Sequence, residues 1–251
     1  MKSLFLAWQG PNRSWYPVGI LDADASKRLY SFRYTKGALE AERNVGFEPL
    51  PAFPEFGRRY ESGELFPLFQ NRVLDPNRKD FLEYLKTLDL QPGETDPIEI
   101  LSVSGGRRQT DSLEVFPKIE KRIDGSFSCR FFLHGLRYMR ADSQERAMAL
   151  RSGEALGISL ELTNPASVCA IQLTTSDYHF VGWTPRYLVG DLLRAIAPGP
   201  HLHAKVVRVN QADVPVNRRV LIELFGRFPA DVEPMSSEQF QPIEESRRPS
   251  H

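Results

Sequence analysis

The sequence has little cysteine, no net charge and no long hydrophobic run. Its two cysteines, Cys129 and Cys169, form no CxxC motif, which argues against a disulfide scaffold and against a zinc site built from cysteine. The apolar stretches fall far short of the roughly 20 residues that a membrane-spanning helix needs, and the one at the N-terminus is too short for a secretory signal. We therefore expect a cytoplasmic protein that has no membrane partner.

Motifs of catalysis are also missing. The sequence holds no GxSxG, no HExxH and no HRD-type loop, and none of its acidic pairs stands in a recognisable catalytic frame. His201 and His203 alternate on a predicted strand, but two ligands without a third do not make a metal site. We expect a protein that is not an enzyme and that needs no metal or cofactor.

The chain distributes its charge unevenly. Its 32 basic and 32 acidic side chains cancel over 251 residues, which weighs against a protein coated with nucleic acid but permits one local basic groove. Residues 1–126 carry 18 basic and 19 acidic side chains, residues 127–228 carry 12 and 8, and residues 229–251 carry 2 and 5. The positive excess therefore lies in the second segment, and the third, which holds four prolines, is predicted to be a mostly disordered tail.

The patterns of apolar and turn residues predict an α+β protein with two domains, residues 1–120 and residues 127–228. In the first domain, strands are expected at 4–8, 15–21, 28–34 and 112–119, and helices at 65–74, 77–88 and 96–102. The second domain is mainly β, with expected strands at 127–133, 155–162, 168–174, 179–183, 201–209 and 219–228 and a helix at 185–196. Many short strands with one or two helices predict a small, partly open barrel.

Four separated blocks follow one another in the second domain: 134–138 (HGLRY), 160–162 (LEL) leading into Asn164 and Pro165, 169–173 (CAIQL) and 181–186 (VGWTPR). Their order and spacing resemble those of the HIRAN domain. The resemblance implies a modified barrel of the OB type that holds single-stranded DNA, at a free 3′ end in the best-known member.

The first domain contains the blocks 18–21 (VGIL), 30–34 (YSFRY), 49–51 (PLP) with Pro54, 65–72 (LFPLFQNR) and 88–90 (LDL). In this order they resemble the N-terminal subdomain of HipA-type toxin kinases. The kinase core of that family has no room in this chain. The resemblance implies a protein-binding unit whose partner is a HipA-type kinase or a companion DNA-binding protein.

The HIRAN resemblance implies the residues that would contact DNA. Arg137 matches a position that grips phosphate, and Tyr138 one that stacks on a base; the alternative is a solvated arginine and a tyrosine packed on the barrel edge. Trp183 and Arg186 lie at a strand-to-helix turn and are expected to offer a stacking surface and a charge, or else to cap the core and remain solvated. The basic groove is expected to be widened by Lys205 and Arg208.

One loop departs from the HIRAN pattern. The family commonly has an aromatic residue and an aspartate where this chain has Ala166 and Ser167. Alanine cannot stack, and serine is a weaker acceptor than a carboxylate. Ser167 is kept as a candidate DNA contact, but selective capture of a 3′ end is not expected.

A glycine-rich segment in the first domain is a candidate anion site. Gly105, Gly106 and Arg107 could form a nest of backbone amides beside a positive charge, although the segment lacks the lysine and the spacing of a P-loop. The alternative is a simple turn between a helix and a strand.

Together these features predict a non-catalytic adaptor. The second domain is expected to bind single-stranded or structured DNA, and the first to bind a protein partner, in toxin–antitoxin control or defence by analogy. The alternative is an antitoxin-like interaction protein that restrains a HipA-type kinase without binding nucleic acid. A salt-dependent affinity for DNA separates the two, because phosphate contacts release counterions.

Overall fold

The computed structural model describes residues 1–24, 26–164, 167–196 and 202–245. These residues form an α+β protein. The strands are β1 (Lys2–Gln9), β2 (Trp15–Asp24), β3 (Leu29–Tyr34), β4 (Tyr60–Ser62), β5 (Leu113–Pro117), β6 (Ser126–Phe132), β7 (Ala155–Asn164), β8 (Val168–Thr174), β9 (Phe180–Trp183), β10 (Leu202–Val209) and β11 (Val220–Arg227). The helices are α1 (Lys36–Val45), α2 (Pro67–Gln70), α3 (Phe81–Thr87), α4 (Pro97–Ser104), α5 (Ala141–Met148) and α6 (Val189–Ile196). None of these helices has the length and apolar character needed to cross a membrane.

The chain divides into two compact units, and each is assembled from separate stretches. The first unit contains Met1–Leu74, Thr95–Lys118 and the described chain from Met235 onward, and the second contains Asp75–Glu94 and Ile119–Pro234. The two predicted domains, divided near residue 120, therefore differ from these units in two stretches of the chain. The stretch with α3 belongs to the second unit, and the end of the chain belongs to the first.

The first unit is built on an antiparallel five-stranded sheet in the order β4-β3-β2-β1-β5. The predicted strands are present, whereas α1 and β4 were not expected and the helix predicted at 65–74 is only the single turn α2. Helix α4 begins as predicted, because the Asp96 carboxylate accepts a hydrogen bond from the Ile98 amide at 2.9 Å. It ends at Gly105, whose φ of 70° is the left-handed conformation that glycine adopts readily.

Tyr34 fixes the proline-spaced stretch of the first unit onto the sheet. Its buried hydroxyl donates to the Phe53 carbonyl at 2.8 Å and accepts from the Leu50 amide at 2.6 Å. Burial raises the pKa of this hydroxyl well above its usual range, so it stays a neutral donor. Phe53 stacks on Phe32 with ring centroids 4.0 Å apart. The stretch is therefore non-helical, as its prolines predict.

The segment predicted to be a disordered tail is ordered over its described part. Residues 229–245 are described and ordered by tertiary contacts, and the remaining predicted tail, 246–251, lies outside the described residues. Phe240 is 2% exposed and meets Phe5 edge-on with ring centroids 5.0 Å apart. The Ile243 amide donates to the Tyr34 carbonyl at 2.9 Å. The composition of the tail is polar, but the buried Phe240 ring and backbone hydrogen bonds hold the described residues from Met235 onward on the first unit.

Replacing Phe240 with alanine is expected to destabilise the first unit by about 3–5 kcal/mol, the usual cost of removing a buried phenylalanine ring. Urea unfolding measures the loss. The matched control is Glu238→Gln, since the Glu238 side chain is 81% exposed and its ion pair with Lys36 is worth about 1 kcal/mol or less. Equal stability of the two variants would show that the chain end contributes nothing to the unit.

The second unit is built on a six-stranded antiparallel sheet in the order β6-β11-β10-β7-β8-β9. All six strands were predicted, and the helix predicted at 185–196 is a 3₁₀ turn at Arg186–Leu188 followed by α6. Helix α5 was not predicted. The sheet curls into a half-barrel, and its two edge strands approach each other beyond the end of β6.

Two backbone hydrogen bonds join the edges of this sheet. His134, which follows β6, donates its amide to the Trp183 carbonyl at 3.0 Å and accepts from the Trp183 amide at 3.1 Å. Trp183 is the last residue of β9. The two ends of the strand order are therefore tied together at one point.

Helix α3 is held in the second unit by polar contacts as well as by its apolar face. The Asn210 side chain donates to the Thr87 carbonyl at 2.9 Å and to the Arg218 carbonyl at 2.7 Å. Arg130 on β6 pairs with Asp89 just beyond the helix at 3.2 Å. These contacts link positions that are far apart in the sequence, which is why a reading of local patterns assigned α3 to the first domain.

Candidate nucleic-acid interface

The junction between His134 and Trp183 brings several predicted site residues together. Gly135 follows His134 with a φ of 81°, and a Cβ at this position would lie 2.2 Å from Cε3 of Trp183. The indole ring therefore lies directly against the Gly135 backbone. On another side, the Phe180 ring meets it edge-on with centroids 4.5 Å apart. Trp183 is partly buried, so it both packs against the sheet and presents surface.

Gly135 also begins the 3₁₀ turn that carries Arg137 and Tyr138. Tyr138 is 69% exposed and is not packed on the barrel edge, which was the alternative to a DNA contact. The Arg137 guanidinium carbon lies 4.6 Å from the Tyr138 ring centroid, and its Nη2 donates to the Tyr138 hydroxyl at 2.5 Å. The arginine thus holds the exposed ring, and both side chains face solvent.

Glu161 orients Trp183 from β7, which β8 separates from β9. Its Oε2 accepts from the Trp183 indole Nε1 at 2.8 Å and from the Asn164 side-chain amide at 2.9 Å. Burial by itself raises the pKa of Glu161, but hydrogen bonds from Asn164, Trp183 and Gln172 outweigh it and hold the pKa below its usual range. The carboxylate is therefore ionised at neutral pH and fixes the rotation of the indole ring.

Ser167 is connected to the same group of residues. Its hydroxyl lies 3.2 Å from the Asn164 side-chain oxygen and 3.0 Å from the Cys169 carbonyl. Asn164 in turn donates to Glu161. Ala166, the other residue that departs from the HIRAN pattern, lies outside the described residues.

We call Gly135, Arg137, Tyr138, Glu161 and Trp183 the Trp183 cluster.

Gly135 and Glu161 are not among the predicted site residues, although both lie in the blocks that carry the HIRAN resemblance. The signal that marks Glu161 is a carboxylate in the middle of a strand with apolar neighbours. A charge at such a position needs hydrogen-bond partners. Asn164 lies on the same strand as Glu161, but Gln172 and Trp183 come from β8 and β9, so only the fold identifies these two partners.

Arg186 lies just beyond the Trp183 cluster. It opens the 3₁₀ turn that leads into α6, and its side chain is half-buried. The first regular α-helical residue is Val189. The helix expected from residue 185 therefore begins with a 3₁₀ turn, in which the Leu188 amide donates to the Pro185 carbonyl at 3.1 Å.

Lys205 and Arg208 lie on another part of the sheet. Their strand, β10, is separated from β9 by β7 and β8, and from β6 by β11. Lys205 pairs with Glu223 at 2.8 Å, and Arg208 Nε donates to the Asn210 side chain at 3.0 Å. The structure therefore does not place these two side chains beside the Trp183 cluster.

The glycine-rich segment of the first unit forms a turn between α4 and β5, which was the alternative to an anion site. The Gly105 amide donates to the Leu101 carbonyl at 3.1 Å, and the Gly106 amide donates to the Ser104 hydroxyl at 3.2 Å. Arg107 lies 3.7 Å from the Glu114 carboxylate. The amides and the charge that an anion would need have partners within the unit.

In the described parts of the chain, no three His, Cys, Asp or Glu side chains converge on a point where a metal could sit, and His201 lies outside the described residues. The His203 ring stacks on Phe225. Burial raises the pKa of the Cys129 thiol to about 12, so it remains protonated and unreactive.

Substitution Gly135→Ala is expected to displace the Trp183 ring, because the new methyl group has no room. The matched control is Gly153→Ala. Gly153 has nearly the same φ, 84°, but nothing lies within 4 Å of its Cβ position. Both variants carry the strain of a left-handed alanine, about 1–2 kcal/mol. Only Gly135→Ala should shift the indole N–H resonance of Trp183, and an unchanged resonance would contradict the packing.

The bond between Glu161 and Trp183 gives the cluster a defined pH response. Because the folded pKa of Glu161 lies below its usual value of 4.5, the carboxylate stabilises the fold above that value and the contribution is lost only as the pH falls through the lowered pKa. The Trp183 indole N–H resonance should therefore stay constant as the pH falls to about 4.5 and move only below it. In Glu161→Gln this titration should be absent.

Comparisons with known proteins give one structural similarity. No family model matches this chain, and no curated protein matches it. Among solved structures, the crystal structure of a protein from Lactobacillus plantarum is similar, with 20% sequence identity over 42% of this chain and 100% of its own, and a TM-score of 0.33. What this chain binds is therefore inferred from its own residues.

Proposed function

We propose that the second unit is a HIRAN-like module that binds single-stranded DNA without catalysis, and that the Trp183 cluster is its binding surface. The observation that carries the proposal is the exposed Tyr138 ring, held by Arg137 on the turn that begins at Gly135, against which the Trp183 ring packs. A large aromatic surface that is 69% exposed and fixed by a neighbouring charge suits a planar ligand.

The chemistry of the cluster fits an unpaired nucleotide. A base that stacks on Tyr138 gains about 1–3 kcal/mol without regard to its identity, because every base has a π-face. Arg137 is exposed and can turn its free N–H groups to the adjoining phosphate, where a guanidinium makes paired, charge-assisted hydrogen bonds. Trp183 adds a second ring whose rotation Glu161 already restricts, so little entropy is lost when a ligand binds.

Binding along a strand is favoured over selective capture of its 3′ end. The Ser167 hydroxyl already lies within hydrogen-bond distance of Asn164 and Cys169. The one carboxylate of the cluster, Glu161, accepts from Trp183 and Asn164. A terminal 3′ hydroxyl would have to compete with these internal bonds. We therefore propose that strands with free and blocked 3′ ends bind equally well.

The first unit is proposed to be the protein-binding half of the adaptor, facing a HipA-type kinase or a companion DNA-binding protein. Its support is the sequence resemblance together with its own sheet and core, which make it a separate compact unit. If the second unit fails to bind DNA, the antitoxin-like interaction protein becomes the better interpretation.

Substitution Tyr138→Ala is expected to weaken binding of a labelled oligothymidylate by about 1–3 kcal/mol, a five- to 150-fold rise in Kd, because the stacking surface is lost. Fluorescence anisotropy measures the change. Tyr138→Phe should retain most of the affinity, since the ring remains and only the hydroxyl bond to Arg137 disappears.

The matched control is Tyr178, which is 93% exposed in the same unit but lies on the turn between β8 and β9. Its φ of 64° suits asparagine, so Tyr178→Asn removes the ring without backbone strain and should leave Kd unchanged. An equal loss at both tyrosines would indicate nonspecific adhesion, and no binding by the unaltered protein at micromolar concentration would refute the proposal.

A further inference from the structure

A second surface of the second unit combines the features of an anion-binding groove. The outer face of β6, β11 and β10 carries a groove with a volume of about 460 Å³. Cross-strand pairing aligns Ser128 with Phe225 and Phe225 with His203. The side chains that alternate with these, such as Cys129 and Leu224, are buried on the inner face. The register of the three strands therefore places the lining side chains of the groove on one face of the sheet.

Positive charge dominates this groove, which we call the outer groove. Three of its lining residues are basic, namely Arg122, Lys205 and Arg227, and one is acidic, Glu223. Arg122 and Arg227 are exposed. Asp124 lies at the rim, 4.0 Å from Arg227, and its carboxylate already accepts from the amide and the hydroxyl of Ser126.

An aromatic stack occupies the middle of the outer groove. The His203 and Phe225 rings lie nearly parallel, at 24°, with centroids 5.4 Å apart. Lys205 Nζ lies 5.3 Å from the Phe225 centroid. His203 is exposed, so the outer face of its ring is open to a ligand. Basic side chains on β10, on β11 and on the segment before β6, interleaved with flat rings, suit a single-stranded polynucleotide.

We propose that the outer groove binds the sugar–phosphate backbone of a single-stranded polynucleotide, with one base stacked on His203. The inference rests on the proposed function, because it assigns a second contact surface for the same class of ligand. Arg122, Lys205 and Arg227 neutralise phosphates. A polynucleotide reaches these three side chains when it is long enough to extend beyond the Trp183 cluster.

Glu223 is the internal counter-ion of the outer groove. It pairs with Lys205 at 2.8 Å and lies 3.7 Å from Arg130 on β6. A phosphate that approaches Lys205 displaces this carboxylate from the ammonium group. The carboxylate therefore holds Lys205 in position while the groove is empty and lowers the affinity for a polyanion.

The first test compares two double variants of the full-length protein with labelled oligothymidylates of about 4 and about 16 nucleotides, the range of lengths that barrels of this kind bind. Lys205→Gln with Arg227→Gln should flatten the plot of log affinity against log salt by about 1.4 with the long strand only, since each phosphate contact of a single strand contributes about 0.7. The matched control is Lys79→Gln with Arg151→Gln, which changes the same residue types at exposed positions outside the groove.

A gain of affinity supplies the second test. Glu223→Gln keeps the shape of the side chain but removes its charge, so the long strand should bind about fivefold more tightly at low salt, as expected for one unit charge about 4 Å away in water. Glu145→Gln, on the exposed side of α5, is the control and should change nothing. A merely structural role of Glu223 predicts a loss or no effect.

The outcomes separate this inference from the proposed function. If the groove variants behave like their controls while Tyr138→Ala weakens binding, the outer groove is not a polynucleotide site and the Trp183 cluster remains one. If the groove variants lose salt dependence while Tyr138→Ala has no effect, the outer groove is the site and the cluster is not. If the unaltered protein binds neither strand, both proposals fail.

Discussion

The pair of hydrogen bonds between His134 and Trp183 is the contact on which the second unit depends. It joins the end of β6 to the end of β9, which occupy opposite edges of the six-stranded sheet. Because the bonds involve backbone groups, they place the following turn and the indole ring at fixed positions relative to the curled sheet. Gly135 then allows the ring to lie against the chain, and no other residue leaves that space.

The second unit has two basic surfaces, the Trp183 cluster and the outer groove. They differ in whether the positive charge is already paired with a carboxylate. Arg137 is held by an uncharged ring, so its charge is not neutralised by that contact. Lys205 is held by a carboxylate and must exchange one anion for another. A polynucleotide that contacts both surfaces would gain a new charge pair at the first. At the second it would only replace the pair that Lys205 already makes, so the first surface would contribute more to affinity.

The first unit illustrates a different use of distant residues. Its aromatic core is fixed by Tyr34, whose hydroxyl bonds on both sides order a stretch that has no regular secondary structure. The last described residues of the chain return to the same unit and cover Phe5 with Phe240. Both ends of the polypeptide therefore contribute to one core, although the whole second unit lies between them in sequence.

The sequence by itself determined the α+β class, every strand of the half-barrel, and the start and end of α4, because these depend on alternation, turn residues and caps that act locally. It also singled out Arg137, Tyr138 and Trp183 as candidate DNA contacts. Only the tertiary structure decided that Glu161 orients Trp183, that α3 belongs to the second unit, that residues 235–245 pack on the first unit, and that Lys205 lies away from the cluster. The physical reason is the same in each case: a hydrogen bond or a buried ring supplied by a distant strand outweighs the preference of the local segment.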